Sequence, residues 1–436
     1  MGIFLTRLFN SNIVKSTVLY TIADIIGKGI PFIILPIVTR FLTPSDFGVL
    51  TNFNVVTQVL VAVCALNTYS ALSVSYHRLD EVKLKSYISN LIYLILILSV
   101  VCSFVILIFE NLIYKVLGIS FLWQQLAVIF ALSTSLLSLY TSLLRMQNNV
   151  MIFSLFQIMQ SFLSAAFAIL FVVVFEYNWQ GRAVSMVASG SIAALLALVC
   201  LMRNQYIFKK GSISQVKDAF FFGLPLLPHT LSFWLKSGVD KIIITNFVGL
   251  AANGIFSIAL TLGSVIGIFT NSFFNAYTPL MFSDLYTIDI AEKSQGDLLK
   301  MKLVRITYLF SFLLFVVCFF SYFLIKLSIT LLLSHDYGSA VYYLPFLLLT
   351  LFFDGLYSIM SGYIFYKKKT KVLGAITFMS SIVQMLLTFS FVKIYGAIGA
   401  LYSSSIVSVA TFVAILLYSN KLYSLPWFGL KNKLNG

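Results

Sequence analysis

Asp24 and Lys28, and again Lys236 and Asp240, are opposite charges four residues apart inside stretches that are otherwise apolar. Four residues make about one helical turn, so each pair lies on one face of its helix. An ionised side chain at mid-bilayer costs roughly 2.5–3.5 kcal/mol on insertion scales, so chains that keep one there turn it to a protein-lined cavity or a partner. In such a cavity the lysines can neutralise an anion such as a diphosphate, and the aspartates can titrate. His229 precedes Lys236 by seven residues and Asp240 by eleven, which places it on the same face. Lys241 and Arg40 fall near the outer interface, where a cavity role and simple snorkelling are both open. Asp354, in L-F-F-D-G-L-Y-S, has no charged residue within a turn; it can pair with a lysine across the cavity or exchange a proton during transport. Lys28, Lys236, Asp24, Asp240, His229, Lys241 and Arg40 are therefore the candidate substrate-binding groups, with Asp354, Asp24 and Asp240 as candidates for ion coupling. The plainer alternative is that the pairs are self-neutralised bridges between helices.

Other chemistries find no support. There is no glycine-rich phosphate loop with its lysine, no His/Cys metal spacing and no nucleophile–base arrangement, so neither an enzyme nor a cofactor or metal is expected. The four cysteines, Cys64, Cys102, Cys200 and Cys318, lie in apolar runs and read as small core residues. The net charge of +15 could suit nucleic acid. In a membrane protein, however, lysine and arginine collect in cytoplasmic loops, which accounts for it. Lys367–Lys369 and Lys371 need no more than topology, although they could also meet anionic lipid headgroups. Of the many aromatics, Trp234, Tyr357 and Tyr363 would stack on sugars if they faced a cavity.

The elements that must position these groups are membrane helices. The chain of 436 residues is 60% hydrophobic and 10% charged, against about a quarter charged in a soluble domain. Uncharged runs such as 86–109, 116–144, 146–175 and 394–420 reach or exceed the ~20 residues that cross a bilayer. Twelve spans are predicted, near 14–38, 48–75, 87–109, 118–144, 151–175, 183–203, 219–246, 252–282, 304–326, 340–365, 371–393 and 396–420. Alternating sides then leave only Arg40, Lys115, Arg182, Lys326 and Lys393 on the outer side, and both termini in the cytoplasm. Met1–Asn12 reads as a cytoplasmic lead-in rather than a cleavable signal. Pro225 and Pro228 interrupt the seventh span as Gly27, Gly29 and Pro31 interrupt the first. Such breakers persist in lipid only where neighbours or water satisfy the freed backbone.

The chain also repeats. Thr39, Phe41 and Gly48 match Thr245, Phe247 and Gly254 at one constant offset, and Tyr177 and Gly181 match Tyr395 and Gly399 at a similar one. The expected plan is an all-α membrane protein: a six-helix lobe over 1–205, a basic cytoplasmic linker over 206–218, and a second six-helix lobe over 219–436. Six is even, so the lobes should be related by a pseudo-two-fold along the membrane normal.

At P-I-V-T-R-F-L-T-P-S-D-F-G-V-L (36–50), at G-V-D-K-I-I-I-T-N-F-V-G-L-A-A-N-G (238–254) and at Y-G-A-I-G-A (395–400), the sequence resembles the Wzx-type oligosaccharide flippases. These form the polysaccharide-biosynthesis branch of the multidrug/oligosaccharidyl-lipid/polysaccharide exporter superfamily. The resemblance implies a MATE-like, two-lobed bundle in the bacterial cytoplasmic (inner) membrane, working by alternating access. It implies an undecaprenyl-diphosphate-linked oligosaccharide as substrate, destined for O-antigen or capsule, with a proton or sodium ion as the coupling ion. A polysaccharide polymerase and the membrane lipid are the implied partners, and nucleic acid is not one. Three other readings compete: a multidrug or cation antiporter of the same superfamily, which would want an acidic cavity; a lipid II flippase, usually with more than twelve spans; and a non-transporting scaffold for glycosyltransferases.

Overall fold

A backbone in lipid can satisfy its N–H and C=O groups locally only as a helix, and every regular element among the described residues is helical. The computed structural model describes residues 26–27, 29–30, 32–207, 212–290 and 293–427, and only the main chain of His229, Ser232, Phe233, Lys293 and Ser294. The helices are α1 (Phe32–Phe41), α2 (Pro44–Ala65), α3 (Thr68–Ser75), α4 (Glu81–Leu117), α5 (Phe121–Met146), α6 (Val150–Ala168), α7 (Asn178–Arg203) and α8 (Ile213–Gly223). They continue as α9 (Leu227–Phe247), α10 (Leu250–Ile290), α11 (Lys293–Leu332), α12 (Leu344–Tyr366), α13 (Thr370–Tyr395) and α14 (Ile398–Leu422). Among the described residues ten segments are long and apolar enough to cross a membrane. The other two expected spans are present as α1, the described part of the first, and α9, whose Lys236, Asp240 and Lys241 lower its apolar character.

The chain divides into two compact units at Asn246/Phe247. In the first, α2, α5 and α7 pack closely because alanines line their contacts: Ala127, Ala131, Ala183, Ala193 and Ala197 are fully buried. The stretch expected to be a linker is in part a docked helix. Asn90 of α4 accepts from the Ser212 amide and donates to Gln215, and Tyr87 donates to Asp218. α9 belongs to this unit as well, tied to it by polar contacts described below. In the second unit, α12, α13 and α14 are joined by hydroxyls: Thr350 bonds Ser404 and Ser405, Thr388 bonds Ser403, and Thr411 donates to Ser380. Such hydroxyl bonds are a common glue between membrane helices.

Both repeated motifs fall at helix junctions, the first built differently in its two copies and the second built alike. In T-P-S-D, Thr43 caps α2: its hydroxyl accepts from the Asp46 amide while the Asp46 carboxylate accepts from the Thr43 amide, and Pro44 fills the first helical position. The matching turn before α10 has Gly249 at φ +122°, a conformation that L side chains rarely adopt. The second motif is a close approach. A Cβ on Gly181 would lie 2.8 Å from the Phe171 carbonyl oxygen, and one on Gly399 would collide with the Phe391 carbonyl. Tyr177–Gly181 and Tyr395–Gly399 thus mark one helix crossing built twice, once in each unit. They differ in one respect: the end of α6 widens into a π-helical stretch over Ile169–Val174, and α13 stays α-helical. Because backbone blocks the space, Gly399→Val is expected to cost about 1–3 kcal/mol by overpacking, read as a lowered melting temperature of the purified protein. An unchanged melting curve would refute the crossing.

α10 and α11 have 41 and 40 residues, about 60 Å each, or twice the hydrocarbon thickness. A salt bridge of 2.7 Å joins Asp284 to Lys302 between them. Nearby, Asp289 accepts from Lys367 at 2.9 Å, from Tyr366 at 3.0 Å and from Tyr423 at 3.2 Å, clasping the ends of α10, α12 and α14. Lys367 is therefore more than a topological charge. Burial pushes the Tyr423 phenol well above its usual range, with the Asp289 carboxylate adding to the effect, so it donates at any physiological pH.

Candidate functional site

Two helix breaks meet in the first unit. Leu66 and Asn67 both take positive φ (38° and 53°) and split the second span into α2 and α3. Across from them, Gly223 ends α8 and a 3-10 turn over Leu224–Leu226, with Pro225 in it, leads into α9. Gly223 lies so close to the Leu66 carbonyl that any Cβ would clash with it. Side chains tie the two segments together: the Asn67 amide donates to the Thr230 hydroxyl at 3.2 Å, and the Trp234 indole N–H donates to the Val55 carbonyl at 3.1 Å. Further along α9, the Thr245 hydroxyl donates to Asn52 at 3.1 Å and Asn246 to the Val116 carbonyl at 2.9 Å.

These contacts frame a pocket of about 200 Å³ lined by Gln58, Ala62, Asn67, Tyr69, Thr230, Trp234 and Ser237, among others. Amides, hydroxyls and an indole held in place by its own hydrogen bond are a donor–acceptor set with an aromatic face, which suits a polyhydroxylated ligand. Trp234 is thus placed as a stacking residue would be. Tyr363 is not: it is 1% exposed and stacks on Tyr423 inside the second unit, so it cannot meet a sugar.

Lys236 and Asp240 follow on the same helix. Asp240 is buried at 6% exposure and Lys236 is partly buried, and neither is without a partner. Lys241, also partly buried, lies within the field of the Asp240 carboxylate. Arg40 is exposed at the end of α1, as a snorkelling side chain would be. For His229 only the main chain, within α9, is described. Asp24 and Lys28 lie outside the described residues; between them in sequence, Gly27 sits within van der Waals reach of the Ser161 hydroxyl, so the first span runs beside α6. In the second unit Asp354 projects from α12 toward α14, where its carboxylate accepts from the Ser408 hydroxyl at 3.1 Å. Asp354 thus belongs to the second unit, and Lys236, Asp240, Lys241 and Arg40 to the first.

Charge sorting missed one residue. Arg182, counted with the outer-side cations, is the fifth residue of α7, with its side chain turned onto α6. Its Nη1 donates to the Ser164 hydroxyl at 2.9 Å, the Ser164 carbonyl at 3.3 Å and the Ser185 hydroxyl at 2.9 Å. The signal available in the sequence was its place directly after Gly181, the glycine of the repeated crossing.

A family model described as polysaccharide biosynthesis protein matches residues 13–285, which take in the capped turn, the first crossing and all of α9. The chain belongs to the polysaccharide biosynthesis protein family. Among proteins of similar sequence, protein 1 of the Lsg locus of Haemophilus influenzae is 22% identical over 413 residues, with 92% of this chain and 97% of that one covered. An uncharacterised membrane protein of the same organism is 23% identical over 411 residues, covering 91% and 92%. The polysaccharide biosynthesis fold seen here is that of the MATE transporters. An inward-facing multidrug resistance MATE transporter of the MOP superfamily superposes with a TM-score of 0.70 at 16% identity, covering 93% of this chain and 94% of the other. An outward-facing structure gives 0.64 at 15%, covering 93% and 95%. At that identity the likeness concerns the fold alone.

Proposed function

We propose that this membrane protein flips an undecaprenyl-diphosphate-linked oligosaccharide, an O-antigen or capsular repeat unit, from the inner to the outer leaflet of the bacterial inner membrane. It works by alternating access with both termini in the cytoplasm, and a proton or sodium gradient drives it. One observation carries the reading: the amide-, hydroxyl- and indole-lined pocket built on the helix that also holds Lys236 and Asp240. The sugars take the pocket, Lys236 meets the diphosphate, and the lipid tail stays in the bilayer. Membership of a polysaccharide biosynthesis family in a transporter fold supports this, and a polysaccharide polymerase is the natural downstream partner. A cation antiporter suits the site less well, because the one acid on α9, Asp240, has Lys241 beside it and Lys236 one turn away.

The direct test is reconstitution in vesicles with a fluorescent polyprenyl-diphosphate oligosaccharide. An imposed ion gradient is expected to move the label to the opposite leaflet, where a membrane-impermeant quencher no longer reaches it. Efflux of a cationic dye without movement of the lipid-linked sugar would reverse the assignment.

A further inference from the structure

The crossing that is built twice provides an internal control for Arg182. Aligning Gly181 with Gly399 places Ala400 opposite Arg182 and Ser403 opposite Ser185. In the second unit Ser403 closes the crossing with neutral groups, bonding the Thr388 hydroxyl at 2.6 Å and donating to the Gln384 carbonyl at 3.4 Å. The architecture therefore does not need an arginine at this place. Yet the first unit keeps one inside a membrane-spanning segment, where a charge is costly to hold.

Arg182 is also incompletely satisfied. Three acceptors share its Nη1, whereas among the described residues Nη2 and Nε have none and no carboxylate lies within ion-pair distance. The guanidinium borders a cavity of about 230 Å³ whose polar lining includes Gln160, Ser161, Ser164 and Ser189. At ~30 Å³ per water the space equals roughly eight waters. None of the described lining residues is acidic. A fixed guanidinium fork with an amide and hydroxyl donors around it is a donor set for a tetrahedral oxyanion.

We infer that the cavity beside Arg182 is a binding site for a phosphate-type oxyanion, with Nη2 and Nε as its charged donors and Ser161 and Gln160 as neutral ones; the Ser189 hydroxyl, on the same wall, donates to the Met186 carbonyl at 3.1 Å. The inference holds whether or not the chain moves oligosaccharide. The anion can come from a polyprenyl diphosphate, an anionic phospholipid headgroup or free pyrophosphate. The three share the chemistry and differ in what is attached to it.

The test is titration of the purified full-length protein, in detergent, with inorganic pyrophosphate, a short-chain polyprenyl diphosphate and phosphatidylglycerol, each followed by melting temperature and calorimetry. At least one probe is expected to raise the melting temperature of the native protein. Arg182→Gln is expected to bind that probe about tenfold or more weakly, a loss of about 1.4 kcal/mol, and Arg182→Lys to retain part of the affinity. The preferred probe identifies the source. Arg182→Ala, which copies Ala400 of the second unit, provides a folded variant should the glutamine fail. No binding of any probe by the native protein, or equal binding by the variants, overturns the site. So does an Arg182→Gln melting loss that Asp24→Asn repairs, because the arginine would then serve an acid of this chain.

Discussion

Lys236→Ala is expected to insert normally and yet to restore no more than about a tenth of surface polysaccharide in a flippase-deficient strain. On α9, Lys236 is partly buried one turn from Asp240 and next to Ser237, which lines the pocket. Truncating one partner of a buried charged contact costs about 2–5 kcal/mol, and each 1.4 kcal/mol is tenfold, so a transported diphosphate that relies on this cation loses more than tenfold. Lys236→Arg keeps the charge and is expected to recover most of the activity. Full complementation by Lys236→Ala, at matched protein level in the membrane, removes the lysine from the substrate's path.

Asp354→Asn is expected to uncouple the protein. Asparagine keeps the shape and an oxygen for the Ser408 hydroxyl but cannot exchange a proton or bind a cation as a carboxylate does. In vesicles, gradient-driven accumulation of lipid-linked oligosaccharide is expected to vanish while exchange without a gradient continues. The melting temperature is expected to stay close to the native value, since the hydrogen bond survives. Gradient-driven transport at the native rate would show that Asp354 only ties α12 to α14.

The helices were legible because lipid imposes so strict a rule on composition: uncharged runs of sufficient length fall on α4 to α7 and on α10, α11, α13 and α14, and only α12 is interrupted, by Asp354. Pro225 announced the break before α9, and the Tyr–Gly pairs announced the crossing, because a helix that presses on a backbone carbonyl tolerates only glycine. The break at Leu66 and Asn67 was not legible. No proline or glycine marks it, and it is fixed by what packs over it, the Gly223 backbone and Thr230. Direction was not legible either. Arg40 and Arg182 both read as outer-side cations, but one is exposed and the other turns inward onto Ser164. Nor does periodicity tell Trp234, at a pocket, from Tyr363, sealed among helices. The first charged pair, Asp24 and Lys28, lies outside the described residues, so only its counterpart on α9 has been placed.

The length of α10 and α11 separates this chain into two physical regimes. Asp284 and Lys302 fall just outside the spans expected over 252–282 and 304–326, where a half-exposed lysine meets a largely buried acid and the pair is taken to lie in reach of solvent ions. Added salt weakens that bridge through ordinary ionic screening, whereas the serine–threonine ladder of α12 to α14, shielded from ions, does not respond. Ionic strength therefore loosens the clasped helix ends while leaving the grip between the spans untouched.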